Sequence, residues 1–175
     1  ARPGFEADKY SIFLRDVATG QTRQIAANWD RSADGLQWSA DGKTLYTTAG
    51  DAGQTRLFAI DTRNGSVMPL TGEGHVGAFQ QTPSGFVMAA DTLTSPADLY
   101  FKTWRGREMP RRLTNVNPQL ANKAFGQFEQ FSFPGWNDET VHGFVIKPAN
   151  YVEGQKYPVA FLIHGGPQGS FGNSW

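Results

Sequence analysis

From Tyr157 to Trp175 the chain reads YPVAFLIHGGPQGSFGNSW. The continuous apolar run Val159 to Ile163 has the length and the β-branched and aromatic character of a strand buried on both faces, as in a parallel sheet flanked by helices. It stops abruptly at His164-Gly165-Gly166-Pro167. Two glycines at the carboxyl end of a buried strand let the backbone turn where side chains would clash, and they leave its N–H groups free to face a ligand. An oxyanion hole is built this way, from donors held where negative charge appears on a tetrahedral intermediate.

A strand followed by His-Gly-Gly matches the oxyanion loop of α/β-hydrolases, with Pro167 standing where lipases and esterases carry a third glycine. Working back, Val141 to Lys147 alternates and ends at Pro148, preceded by an aromatic strand over Phe125 to Trp136 and a turn at Asn137-Asp138. Two strands joined by a turn, a loop over Ala149 to Lys156 and then the buried strand reproduce the opening order of an α/β-hydrolase sheet. Residues Thr140 to Trp175, with VHGFVIKPANY, a KYP step, VAFLIHGGPQG and NSW, resemble the start of the catalytic domain in the prolyl oligopeptidase family of serine peptidases. The likeness is to its acylaminoacyl-peptidase and dipeptidyl-peptidase V-like branch. That resemblance implies that Gly166 gives a backbone N–H to the oxyanion, with Gly165 shaping the turn. His164 precedes any nucleophile in chain order, so it is expected to orient the glycine loop by hydrogen bonding, not to act as the triad histidine.

The first two thirds of the chain is a repeat. Ile12 to Asp16, Thr19-Gly20 and Ile25 recur as Leu57 to Asp61, Asn64-Gly65 and Leu70, and a third copy runs from Leu99 to Lys102 with Leu113-Thr114 closing it. The spacing, about 45 residues, is that of a four-stranded propeller blade. Between the copies lie Leu36 to Ser39 and Leu45 to Ala49 around Asp41-Gly42, then Ala78 to Gln80 and Phe86 to Ala90 around Pro83 to Gly85. Asp-Gly and Asn-Gly are expected to supply the positive φ of two-residue hairpin turns. Trp38-Ser39-Ala40-Asp41-Gly42-Lys43 also resembles a propeller signature of the same peptidase family. The fold expected is mostly β: about two and a half four-stranded blades over residues 1–120, a linker at Asn115 to Gln119, and the first strands of an α/β-hydrolase domain over 121–175.

Composition narrows the classes. Sixteen lysines and arginines balance sixteen aspartates and glutamates, so no charge excess points to nucleic acid or to an anionic membrane. No apolar run approaches membrane-spanning length. The absence of cysteine excludes disulfides and thiolate chemistry and suits cytoplasm and periplasm equally, so the compartment stays open.

No G-x-S-x-G nucleophile elbow occurs. Gly169-Ser170-Phe171-Gly172 is one residue short of it and follows the oxyanion strand too closely, so Ser170 reads as a loop serine. The triad serine, aspartate and histidine are therefore expected outside this chain, which reads as a piece of a longer polypeptide and as inactive alone. Gly72 to Gly77 formally fits G-x-G-x-x-G but leads into strand-like residues, so it reads as a loop between blades. His75 and His142 stand without ligand spacing and read as a solvated loop and a strand surface. Arg105, Arg107, Arg111 and Arg112 read as a solvated hairpin at the rim. No cofactor and no metal is expected. The expected partners are a peptide substrate and the remainder of the polypeptide; a homo-oligomer stays open. Two other functions remain: a non-catalytic propeller module that binds proteins, and an HGG-type carboxylesterase.

Overall fold

A computed structural model describes residues 2–5, 7–104, 108–166 and 169–175. Its framework is antiparallel β. A hairpin of β1 (Ile12–Arg15) and β2 (Thr22–Ile25) comes first. It is followed by a four-stranded antiparallel meander of β3 (Asp34–Trp38), β4 (Thr44–Asp51), β5 (Gln54–Asp61) and β6 (Val67–Pro69). A second meander contains β7 (His75–Thr82), β8 (Gly85–Thr92), β9 (Ser95–Thr103) and β10 (Arg111–Arg112). Eight strands in two antiparallel groups thus occupy the region where they were expected among the described residues. One feature was not expected: a single parallel pair, Thr55 with His75, joins the two meanders along β5.

The alternation of side chains along β5 explains why the meanders stack. Successive residues of a strand point to opposite faces. On one face Ile60, with Leu45 from β4, meets Ile12 and Ile25 of the first hairpin, and Trp29, packed against the same cluster, lies edge-on to Phe58 at 5.2 Å. On the other, Leu57 packs with Val76, Phe86 and Met88 of the second meander. Tyr46, Phe79 and Trp104 surround the Phe86 ring, with centroids at 4.8, 6.2 and 4.4 Å. Pro69 closes the exposed edge strand β6, where its missing N–H costs no ladder bond.

The repeated turn has one hydrogen-bond pattern in both of its first copies. Asp16 N–H donates to Gln21 O and Gly20 N–H to Asp16 O; Asp61 N–H donates to Ser66 O and Gly65 N–H to Asp61 O. Each aspartate also caps its own turn, Asp16 accepting the Thr19 amide and Asp61 the Asn64 and Arg63 amides, and these bonds hold both carboxyls below the usual range. These are not the two-residue turns expected. Only the glycine of each dipeptide, Gly42 and Gly65, takes positive φ, because the aspartate or asparagine serves as a side-chain acceptor in a longer loop. A two-residue turn with positive φ at both positions occurs instead at Ala52-Gly53 between β4 and β5, with φ of 49° and 82°.

The edge strand β10 is only two residues long, and a buried carboxylate fastens it. Asp98 on β9 accepts from Thr114 Oγ1 at 2.5 Å, from the Val116 amide at 3.1 Å and from Arg112 Nε at 3.0 Å, with the second Arg112 nitrogen also in contact. Arg111 and Arg112 are exposed on the edge strand β10, and Arg112 is in addition committed to Asp98; Arg105 to Arg107 lie outside the described residues.

After Thr114 a short 3₁₀ turn, Pro118–Asn122, interrupts the expected linker. A separate two-stranded hairpin follows, β11 (Phe128–Pro134) with β12 (Thr140–Ile146), turned through Asn137 and Asp138 at φ of 58° and 59°. The run Val159 to Ile163, expected as a buried strand beside β12, joins no sheet, and Val159, Phe161, Leu162 and Ile163 are 75–86% exposed. A strand of this composition is stable only with neighbours along both edges and cover on both faces. Among the described residues nothing supplies them, and the intervening loop is held to itself through the Tyr157 hydroxyl and the Tyr151–Tyr157 ring contact.

Two outcomes test this packing. Phe86→Ala should destabilise the fold by about 3–5 kcal/mol, measured as a lower denaturant midpoint, because it opens a cavity in the ring cluster. The Thr114 hydroxyl and the Arg112 guanidinium hold the Asp98 carboxyl below its usual range. Its stabilising share is therefore complete above the unfolded value of about 3.9 and disappears as pH falls through the lower folded value. The difference in melting temperature between the protein and Asp98→Asn should be full at neutral pH and close in strong acid.

Candidate functional site

The glycine loop sits between an uncovered apolar run and a firmly docked end. Gly166 has φ of 150°, within the region that disfavours a Cβ, so the turn there requires glycine. A Cβ on Gly165 would meet open space. Among the described residues, neither the Gly165 nor the Gly166 N–H donates to a protein acceptor. His164 Nδ1–H donates to Gly165 O at 2.6 Å, and its ring stands edge-on to Phe171 at 5.7 Å. Pro167 and Gln168 lie outside the described residues. Ser170 is exposed and without a hydrogen bond among the described residues.

From Gly172 the chain drops onto the tips of two hairpins. Asn173, 2% exposed, donates its N–H to Gly53 O at 2.7 Å and its Nδ2 to Gln54 Oε1 at 3.0 Å, while its Oδ1 accepts the Leu93 amide at 3.0 Å. Gln54 Oε1 also accepts the Gly74 amide at 2.7 Å. Gln54 Nε2 donates to Gln130 Oε1 at 3.4 Å, and Gln130 Nε2 donates to Ala52 O at 2.5 Å. One buried node therefore joins the Ala52-Gly53 tip, the Leu93 tip between β8 and β9, the Gly72–Gly74 connection, strand β11 and the segment after the glycine loop. Of the stretch Gly72 to Gly77, expected as a loop between blades, only Gly72 to Gly74 is a connection, and His75 to Gly77 already belong to β7, with no helix following.

His75 and Asp91 form the second part of this junction, which the sequence reading missed. His75 Nδ1 lies 2.9 Å from Asp91 Oδ2, Ser174 Oγ lies 3.4 Å from the same nitrogen, and the Trp175 amide donates to Asp91 Oδ1 at 2.8 Å. Burial acts to raise the Asp91 carboxyl, but the bonds from His75, Trp175 and Ser174 outweigh it and keep the group below the ordinary range. A serine, a histidine and an aspartate in contact invite comparison with a catalytic triad. The geometry is wrong for one, since the acid must hold one ring nitrogen while the nucleophile faces the other. Here both oxygens approach Nδ1. His75 thus opens strand β7 instead of standing in the solvated loop expected, its side chain is 32% exposed, and its ring links Asp91 to Ser174. His142 lies exposed on β12, as expected. Among the described residues no group of three histidine, cysteine or acidic side chains is placed to hold a metal.

Only the sequence separation hid these contacts: Asn173 and Gln54 are 119 residues apart, and a lone Asn-Ser-Trp carries no local pattern.

Comparison with known proteins agrees with the HGGP motif. The chain is 34% identical over 185 residues to a probable dipeptidyl-peptidase 5 of Aspergillus clavatus, and 36% identical over 188 residues to dipeptidyl-peptidase 5 of Arthroderma otae. It spans 98% and 100% of itself in these matches but only 24% and 25% of those relatives. Among solved structures it superposes on the Pyrococcus horikoshii acylaminoacyl peptidase with a TM-score of 0.74 at 26% identity, over 95% of this chain and 25% of that one. These similarities support a prolyl oligopeptidase family peptidase. An acylaminoacyl peptidase in complex with Z-Gly-Gly-Phe-chloromethyl ketone matches at a TM-score of 0.75 and 28% identity, over 94% of this chain and 25% of that one. No family model matches. Along the chain the glycine loop and the node at Asn173 are neighbours in sequence, and the node is the better anchored of the two among the described residues.

A single substitution tests the junction. Gly53 has positive φ, and a Cβ there would stand 2.9 Å from the Phe144 ring and bring strain of about 1–2 kcal/mol from the left-handed backbone. Gly53→Ala should speed amide exchange at Asn173 relative to Ile60; unchanged exchange at Asn173 would contradict the role given to this turn.

Proposed function

We propose that this chain is part of a longer serine peptidase that removes short units from peptides, contributing propeller blades over residues 1–120 and the opening of an α/β-hydrolase domain over 121–175. The observation that carries this reading is the His164-Gly165-Gly166 loop. It has a backbone turn only glycine accepts comfortably at 166, two N–H donors not spent on protein carbonyls among the described residues, and a histidine bonded back to the Gly165 carbonyl. Two further features favour a longer polypeptide: the chain spans about a quarter of its relatives, and its run at 159–163 exposes the side chains of a strand that helices would cover.

In the proposed reaction a serine outside this chain attacks the peptide carbonyl, a histidine takes the hydroxyl proton and later returns it to the leaving amine, and an aspartate orients that histidine. Gly166, with Gly165 beside it, donates N–H bonds to the oxygen as it becomes negatively charged. His164 holds the loop by its bond to Gly165 O. Because these donors bind the transition state more strongly than the substrate carbonyl, their effect falls on kcat. One such donor is worth on the order of 3 kcal/mol. A peptide substrate is favoured by the acylaminoacyl peptidase in complex with a peptidyl chloromethyl ketone. No observation here favours the binding module or the carboxylesterase.

The test uses the longer protein that carries this chain, assayed on dipeptidyl and acylaminoacyl anilides. Gly166→Pro removes the donor and should lower kcat by roughly 100-fold or more with a smaller change in KM. A variant that folds normally and keeps its kcat would overturn the assignment, and the 175-residue chain alone should show no turnover.

A further inference from the structure

Asn173 is a buried polar residue at the junction to which the peptidase reading gives no task. Its amide N–H, its Oδ1 and its Nδ2 each have a partner, on Gly53, Leu93 and Gln54. Those partners stand on hairpin tips of two different meanders. Gln54 is itself 7% exposed and passes the contact on to the Gly74 amide and to Gln130 of β11. Six residues lie between Gly166 and Asn173, and the described residues on either side of 167–168 are held: His164 bonds to Gly165 O and meets the Phe171 ring, while Gly172 lies so close to Gly53 O that a Cβ would come within 2.9 Å. Among the described residues the glycine loop has no ladder of its own. Its position is therefore set from its downstream foot.

We infer that Asn173 is a positioning residue for the peptidase reaction: its buried amide pins the segment after the glycine loop to the tips of both meanders, and so fixes where the Gly165 and Gly166 N–H groups stand. The role rests on the peptidase reading above. It requires that the two meanders, and not only the hydrolase portion, take part in setting the oxyanion donors. A misplacement of such donors by about 1 Å costs on the order of 100-fold in rate.

The experiment uses the longer protein with Asn173→Ala, Gln54→Ala and the double variant, assayed on a dipeptidyl anilide, with a peptidyl aldehyde as a mimic of the tetrahedral state. Expected are a fall in kcat of about 10- to 100-fold with KM within about threefold, aldehyde affinity weakened in step with kcat/KM, and a double variant little worse than the poorer single, since both remove one node. Amide exchange at Leu93 should quicken in Asn173→Ala. If that variant does not fold, Gln54→Ala carries the same expectations. Unchanged kcat, equal effects on kcat and KM, or unchanged exchange at Leu93 would each overturn the role. A wild-type protein without peptidase activity would overturn the peptidase reading and the catalytic consequence together, and exchange at Leu93 would then decide the pin alone.

Discussion

Strand β5 is covered on both faces, and the rest of the β framework is arranged by that constraint. Leu57 and Ile60 are each fully buried, three residues apart and so on opposite sides of the strand. A strand of a one-sided antiparallel sheet would have one wet face. Here the hydrophobic gain on each side is available only if a second β layer lies there, so the first hairpin and the second meander are drawn onto the first meander from opposite directions. The single parallel pair between Thr55 and His75 follows from this stacking: it occurs at the end of β5 that the three-residue β6 does not reach.

That stacking brings the two hairpin tips to one end of the layers. The β4–β5 tip reaches Gly53 and the β8–β9 tip reaches Leu93, and both offer backbone groups that no ladder uses. Gln54, Gly74 and Asp91 lie beside them and turn the end of the stack into a surface of directed donors and acceptors. Gly172 to Trp175 settles there through hydrogen bonds, with one ring contact, Trp175 on Phe125 at 5.5 Å. The apolar contribution is small. Specific pairing decides where the chain end sits.

Much of the framework was legible because it is written in local signals. The repeated pattern of Ile12 or Leu57, then Phe-x-x-Asp with a glycine four residues on, places a strand and its turn. The turn type was misread because aspartate before glycine has two uses, a positive φ or a side-chain acceptor, and only the bonds from the Thr19, Arg63 and Asn64 amides distinguish them. The run at 159–163 was misplaced for a different reason. Its composition states what surroundings it suits, not whether the described residues provide them. The glycine loop was legible as a motif, whereas the node at Asn173 and the pairing of His75 with Asp91 depend on residues tens of positions apart and left no trace in any window.

The node also explains why a polar side chain is tolerated at the deepest point of the junction. A buried amide left without partners costs about 1–3 kcal/mol per group, while a satisfied one adds only about 1 kcal/mol net. Asn173 therefore contributes little stability when matched and much instability when displaced. An apolar residue of similar size would slide over neighbouring registers at small cost. Asparagine cannot, because its carbonyl must meet the Leu93 N–H while its amide meets Gln54 Oε1, and shifting the chain by one residue breaks both. The penalty for misregister, more than the strength of the bonds, holds the segment after the glycine loop at one position on the stack.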